Sequence, residues 1–261
     1  MIHKSSIVSK KAQIGINVSI GPFCTIGDNV KIGDNNKFIS HVCIDGNTNI
    51  GDDNIFYPFS SIGLQPQDKK FKGEKSKLNI GNNNIFREHV TINPGTSGGG
   101  MLTKIGNNCL IMIGSHIAHD CNIHSNVILV NNAMIAGHVN VEEGAIIGGG
   151  SAIHQFVNIG KYAMIGGMSG VESNIIPYGM YFGVRSNLRG LNLIGLKRLH
   201  LKSVQINKIK LIFEKIFKKN NNLNDNIINL SKEELKIKEI SEIINFINKN
   251  FKRGICRYFN E

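Results

Sequence analysis

The 261-residue sequence has no tryptophan, only five prolines and five cysteines, and an aromatic content of 7%. It also lacks the apolar run of about 20 residues that a helix needs to cross a bilayer. Each scarcity excludes something. The cysteines (Cys24, Cys43, Cys109, Cys121, Cys256) are odd in number and scattered, with no Cys-x-x-Cys pair, which argues against a disulfide framework and for reduced, small apolar residues. Met1-Ile2-His3-Lys4 carries no apolar signal segment, so a cytoplasmic location without stable membrane insertion is expected. Acidic residues are outnumbered 19 to 30, giving +11, and the segment 190–261, with fifteen Lys and Arg against seven Asp and Glu, carries +8 of it. No nucleic-acid recognition motif accompanies that basic tail. Acidic proteins or phosphate-bearing small molecules are the better partners.

What is present is a period. Stepping by six from Ile105 gives Ile105, Ile111, Ile117, Ile123, Leu129, Ile135, Val141, Ile147, Ile153, Ile159, Ile165 and Val171 without a polar residue. At a one-in-three aliphatic frequency, such a run arises on the order of once in half a million trials. A second run in the same step goes from Ile2 to Ile62, and a short third one joins Ile80, Phe86 and Ile92. Glycine often follows the aliphatic residue, as at Gly15, Gly21, Gly27 and Gly33, and asparagine is frequent; both suit the backbone angles of a bend.

A six-residue unit is a short strand plus a corner and buries too little to stand alone, so the units must stack. Three hexads make an 18-residue coil, and about nine coils at the strand spacing of about 4.8 Å build a prism on the order of 40 Å long. The expected architecture is therefore an all-β parallel β-helix over residues 1–185. It is interrupted by loops at Leu64 to Lys77 and Pro94 to Lys104, and an α-helical domain follows at 186–261. Helical spacing of apolar residues in Leu201 to Lys219 (Ile206, Ile209, Leu211, Ile212, Ile216) and in Ser231 to Phe251 predicts the helices. Ser231-Lys232-Glu233-Glu234 has capping-box spacing. The Gly98-Gly99-Gly100 run lacks the setting of a phosphate loop and reads as a flexible turn.

The chemistry concentrates in His116-Ile117-Ala118-His119-Asp120-Cys121. One coil beyond His119 lies Gly137, and one further lies Gln155, so these three form a column, with His138 and His154 beside it. A neutral imidazole can remove a hydroxyl proton as a carbon–oxygen bond forms, and an exposed glycine N–H can stabilise the resulting oxyanion. His119 is thus the candidate base, Asp120 the residue that orients or polarises it, and the Gly137 amide the oxyanion donor, in direct attack without a covalent intermediate. A second reading remains open at this point: His116, His119 and His124 resemble a metal-ligand cluster. Merely solvated histidines are a third.

The chain resembles the UDP-N-acetylglucosamine O-acyltransferases of lipid A synthesis over its whole length. The carrying motifs are Gln67-Asp68 with Lys70, the His116–Cys121 segment, Asn131-Asn132-Ala133, Ala136-Gly137-His138-Val139, His154-Gln155-Phe156 and Gly195-Leu196-Lys197-Arg198. The resemblance implies a left-handed helix, an exception to the right-handed rule for parallel crossovers. It implies transfer of a 3-hydroxyacyl chain, carried on the phosphopantetheine of acyl carrier protein, to the 3-hydroxyl of UDP-N-acetylglucosamine, with neither metal nor other cofactor. It further implies that His119 is the base, that Asp68, Lys70, His116 and His138 surround the sugar and acyl groups, that Gln155, Asn192 and Arg198 lie toward the nucleotide, and that Gln67 and His154 also bind substrate. Gly167 matches a position that leaves room for a long acyl chain. Family members are homotrimers with sites between prisms, so Asp68 and Lys70 can come from a different chain than His119. Ile194 and Leu199 depart from the charged residues common near the nucleotide, and Asn93 replaces a common histidine. The related N-acyltransferase, an O-acetyltransferase using acetyl-CoA and a catalytically silent scaffold are the competing readings.

Overall fold

In a computed structural model, residues 1–218, 222–249 and 253–256 are described. The strands belong to three sheets of nine, eight and ten strands, most of them two residues long. Each pair follows one rule, seen in Thr25–Ile26 and Lys31–Ile32: the first side chain faces solvent and the second enters the core. Every strand pairs in parallel with the one a full coil away, as in the register Ile117↔Ile135↔Ile153, until the last pair. The predicted prism is the observed one. Because like residues sit one strand spacing apart, core rings stack: Phe38 on Phe56 at 4.8 Å and Phe56 on Phe86 at 4.7 Å.

The corners correct one expectation. Gly15, Gly21, Gly27, Gly33 and Gly81, which follow aliphatic residues, are not in the left-handed region; a Cβ on Gly21 would lie 1.7 Å from the Ile39 carbonyl oxygen, and one on Gly81 2.7 Å from that of Gly106. They are there because successive coils touch. The left-handed bend itself is carried mostly by non-glycine residues, among them Asn17, Asn35, Asp53, Asn83, Asp120 and His138, and by glycine at a few corners such as Gly114, Gly144 and Gly150. Asn and Asp tolerate this conformation best.

A buried asparagine ladder measures the coils. Asn54 N–H donates to Asn36 Oδ1 at 2.9 Å across 18 residues, Asn84 N–H to Asn54 Oδ1 at 2.9 Å across 30, and Cys109 N–H to Asn84 Oδ1 at 2.8 Å across 25. The two long steps contain the two loops. Both loops end sooner than expected, since strands already run over Lys77–Ile80 and Leu102–Ile105.

At the far end, strand Gly179–Phe182 continues the ten-stranded sheet, and Asn187–Leu191 folds back on it antiparallel. Five helices follow: α1 (Leu193–Arg198), α2 (Ser203–Ile216), α3 (Leu223–Ile228), α4 (Lys232–Leu235) and α5 (Lys238–Asn248). Helix α2 buries Ile206, Ile209, Ile212, Phe213 and Ile216, while Leu211, expected inward, is exposed. The Ser231–Glu234 capping box forms, but the chain breaks after one turn, so the single helix expected from 231 to 251 is α4 plus α5. Lys219 and Phe251, the expected helix ends, lie outside the described residues. Residues 253–256 return to the prism, where Cys256 N–H donates to the Asn174 carbonyl at 2.8 Å.

Candidate active site

His119 follows the inward Ile117 by two residues, which puts it on a corner of the nine-stranded sheet. Its ring is largely buried, at 8% exposure, against bare backbone: a Cβ on Gly137, one coil on, would lie 2.6 Å from His119 Cε1 and 2.8 Å from Nε2. The column deduced from the 18-residue step is therefore real. His119, Gly137 and Gln155 line one cleft of about 420 Å³, with Gln67, Asn93, His116, Ala118, Met134, Ala136 and Ala152.

His119 Nδ1 lies 2.8 Å from Asp120 Oδ2. A carboxylate only accepts, so Nδ1 carries the proton and Nε2 keeps its lone pair; this tautomer follows from the hydrogen-bond network. Asp120 also takes the Thr96 N–H at 3.0 and 3.1 Å and the Thr96 hydroxyl at 2.6 Å, while its own N–H donates to Thr103 Oγ1 at 2.8 Å. The His138 ring meets His119 edge-on at 4.9 Å and stacks on Phe156 at 4.4 Å, with Nδ1 3.9 Å from Asp120 Oδ2. His116 pairs with Thr91 Oγ1 at 2.7 Å, and burial, then the neighbouring His119, pushes its pKa down, so it is held neutral. Among the described residues no group accepts from the Gly137 N–H.

The other expected residues are less concentrated. Gln67 reaches the cleft, but Asp68 and Lys70 of the same loop do not line it. His154 is exposed beside Gln155. Gly167 stands on another corner, where an added Cβ would meet only Gly149, at 3.2 Å from its carbonyl oxygen. Asn192 is a buried cap for α1: its Oδ1 accepts from Gly195 N–H at 2.9 Å and its Nδ2 donates to the Tyr162 carbonyl at 2.9 Å. These bonds use one of the amide's two donors and one of its oxygen's two lone pairs. Arg198 is exposed at the end of that helix, near the exposed Ile194 and the half-buried Leu199.

The set His116, His119 and His124 is not brought together, because His124 follows a strand of a different sheet and bonds to Asn122 and Asn140. The groups that do converge are His119, Asp120 and His138, with ligand atoms within 4.8 Å of one another. The Asp120 carboxylate is already held there by Thr96 and His119.

Spacing gave no sign of Thr91, Thr96 and Thr103, which fix His116 and Asp120 from neighbouring coils and a loop. Nor did it explain Asn93, whose Nδ2 donates to the Leu64 and Gln65 carbonyls at 3.1 and 3.3 Å. In this chain Asn93 pins the first loop to the cleft wall.

Residues 174–256 match a family model described as UDP N-acetylglucosamine O-acyltransferase, domain 2, and residues 5–39 and 102–137 match the bacterial transferase hexapeptide repeat. The acyl-[acyl-carrier-protein]–UDP-N-acetylglucosamine O-acyltransferase of Thermodesulfovibrio yellowstonii is 49% identical over 98% of this chain and 99% of its own. Its counterpart in Rickettsia bellii is 50% identical over 98% and 92%. Among solved structures, the UDP-N-acetylglucosamine acyltransferase of Bacteroides fragilis superposes with a TM-score of 0.94 at 39% identity, covering 98% of this chain and 100% of that one.

Proposed function

The chain belongs to the acyl-[acyl-carrier-protein]–UDP-N-acetylglucosamine O-acyltransferase family, and we infer from that membership and from the cleft how it acts. It transfers an acyl group from acyl carrier protein to a hydroxyl of UDP-N-acetylglucosamine. The observation that carries the chemistry is the His119 ring, fixed by Asp120 at 2.8 Å and lying on the bare Gly137 backbone in an open cleft.

His119 Nε2 takes the proton of the sugar 3-hydroxyl as its oxygen attacks the thioester carbonyl carbon. The tetrahedral oxyanion is met by the Gly137 N–H. When the intermediate collapses, the carbon–sulfur bond breaks and the imidazolium returns the proton to the departing thiolate, leaving ester and thiol. Asp120 keeps the ring in the productive tautomer throughout. The phosphopantetheine-bound acyl chain is a substrate, so the scheme draws on no cofactor.

In the same reading, His116, His138, His154 and Gln155 contact substrate around the base. Asp68 and Lys70 act at a site completed by a neighbouring prism of a homotrimer, and Arg198 meets the diphosphate with its fork of donors. Gly167, which puts no side chain beside the Gly149 backbone, supports a long acyl chain. Asn192 contributes by seating α1 and hence Arg198. We place the boundary between the β-helical and helical parts at residue 192, after the last strand. Among the described residues no helix is long and apolar enough to cross a membrane, and the reading is of a cytoplasmic enzyme.

Incubation of the purified protein with UDP-N-acetylglucosamine and 3-hydroxyacyl carrier proteins of several lengths should give an acylated nucleotide sugar by mass spectrometry. His119→Ala should lose at least ~100-fold in rate. No product at any length, or turnover with acetyl-CoA alone, would defeat the reading.

A further inference from the structure

The second loop presses a threonine onto the one carboxylate that touches the base. We infer that Thr96 is a positioning residue of the reaction, acting through Asp120 on His119; the inference rests on the assignment of His119 as base.

Asp120 sits in the left-handed region at φ 59, directly after His119, and its side chain has no solvent exposure. A buried carboxylate needs donors on its lone pairs. It has three: the Thr96 N–H, the Thr96 hydroxyl at 2.6 Å and His119 Nδ1 at 2.8 Å, the last two on the same oxygen, Oδ2. Charge-assisted bonds of this length are the strong class. One residue therefore supplies two of the three bonds that decide where Oδ2 points, and Oδ2 decides how the imidazole is turned.

The loop is built to hold Thr96 there. Gly99 and Met101 both donate their N–H groups to the Thr96 carbonyl, at 3.1 and 3.0 Å, closing a tight turn around it, and Thr96 is buried at 4% exposure. Gly99 is the second, independent sign. A Cβ on it would lie 2.0 Å from Asp120 Cγ and 2.2 Å from Oδ2, so the backbone at that point lies directly on the carboxylate and shuts out water. Neither of its neighbours Gly98 and Gly100 has an atom within 4 Å of such a Cβ. The glycine run forms the expected turn, and within it Gly99 covers Asp120. Covered in this way, the carboxylate keeps Thr96 and His119 as its hydrogen-bonding side chains, with His138 Nδ1 further off at 3.9 Å, and these bonds set the orientation of the His119 ring.

The test is steady-state kinetics of Thr96→Val, which keeps shape and the backbone donor but removes the hydroxyl, beside Thr96→Ser, which keeps the hydroxyl. Thr96→Val should lose about tenfold or more in kcat, with KM for both substrates within about twofold, because a bond to a charged group is lost and no ligand contact is. Thr96→Ser should recover kcat to within about threefold of wild type. In an Asp120→Asn background, Thr96→Val should cost little more, since the two act as one unit. If Thr96→Val does not fold, Thr96→Ala is judged by the same criteria. Wild-type kcat in the hydroxyl-less variant, a loss that serine fails to restore, or full additivity with Asp120→Asn would overturn the inference. Retained activity in His119→Ala would instead remove the base assignment beneath it.

Discussion

Replacing Gly137 by alanine isolates the geometry of the base from everything else in the site. The residue's φ is outside the left-handed region, so the backbone accepts a side chain without strain. Alanine also keeps the N–H proposed to meet the oxyanion. What changes is space. The new methyl would stand 2.6 Å from His119 Cε1, 2.8 Å from Nε2 and 3.2 Å from Nδ1, where ordinary contact begins at 3.4 Å. The ring must therefore move by about 0.8 Å, the difference between 3.4 and 2.6 Å, against an Asp120 bond of 2.8 Å that holds it in place. A misplacement of about 1 Å costs on the order of 100-fold in rate, so kcat should fall by roughly 30- to 100-fold while KM moves less than about threefold. Global stability should change little, since Gly→Ala at an ordinary φ stabilises by about 0.4–1 kcal/mol through the unfolded state and offsets part of the clash. Kinetics with acyl carrier protein and UDP-N-acetylglucosamine, paired with a thermal melt, separates the two effects. Undiminished kcat in Gly137→Ala would show that Nε2 need not sit where the structure holds it, and the base mechanism would have to be abandoned.

Three further outcomes are expected. Glu242 of α5 joins the helical part to the prism by bonding the Tyr178 hydroxyl and Lys161 Nζ, the latter at 2.7 Å; Glu242→Ala should lower stability by about 1–3 kcal/mol in denaturant titration, and an unchanged midpoint would discount the clamp. Burial pushes the thiols of Cys109 and Cys256 up to about 11 and that of Cys121 up to about 12, and raises Cys24 and Cys43 as well, so access separates them: Cys43 alone is not fully buried. Ellman's reagent at pH 8 should thus find only the half-buried Cys43 quickly in the native protein and all five thiols after denaturation. His116 has its folded pKa below the ordinary 6.5 because burial disfavours its charge, so the unfolded chain binds the extra proton first. Stability should therefore fall as pH drops below about 6.5, and His116→Asn should flatten that acid limb in melts between pH 7 and 5.

The fold was legible because one physical requirement repeats. An inward aliphatic residue every six positions is the condition for filling a three-sided core, and Ile105 through Val171 meet it twelve times over. Insertions were legible only as interruptions: the strands Lys77–Ile80 and Leu102–Ile105 begin inside segments whose composition reads as loop, because pairing with the coil on either side overrides local preference. Glycines such as Gly21 have a task that local preference does not reveal, for a similar reason. A sequence shows that Gly21 lacks a side chain; only the stacked coils show that the Ile39 carbonyl occupies the space where one would be.

For the site, the same period reaches as far as the column and no further. It places His119 under Gly137 because both lie on the regular part of the coil, 18 residues apart. It cannot place Thr96, which leaves the prism on the second loop, 24 residues before Asp120, and returns to it at a distance no repeat encodes. Nor can it tell the middle glycine of Gly98-Gly99-Gly100 from its neighbours, although one of the three lies on a carboxylate and the others meet open space. The repeat supplies the proposed base, His119, and its backbone floor, while the departure from the repeat supplies Thr96, which bonds the carboxylate beside it. A hexapeptide prism that kept His119 and Asp120 but lost the loop would retain the column with Asp120 Oδ2 open to water, and a hydrated carboxylate holds an imidazole less firmly than one whose partners are fixed. On the proposed assignment, the interruptions of the pattern belong to the catalytic apparatus as much as the pattern does.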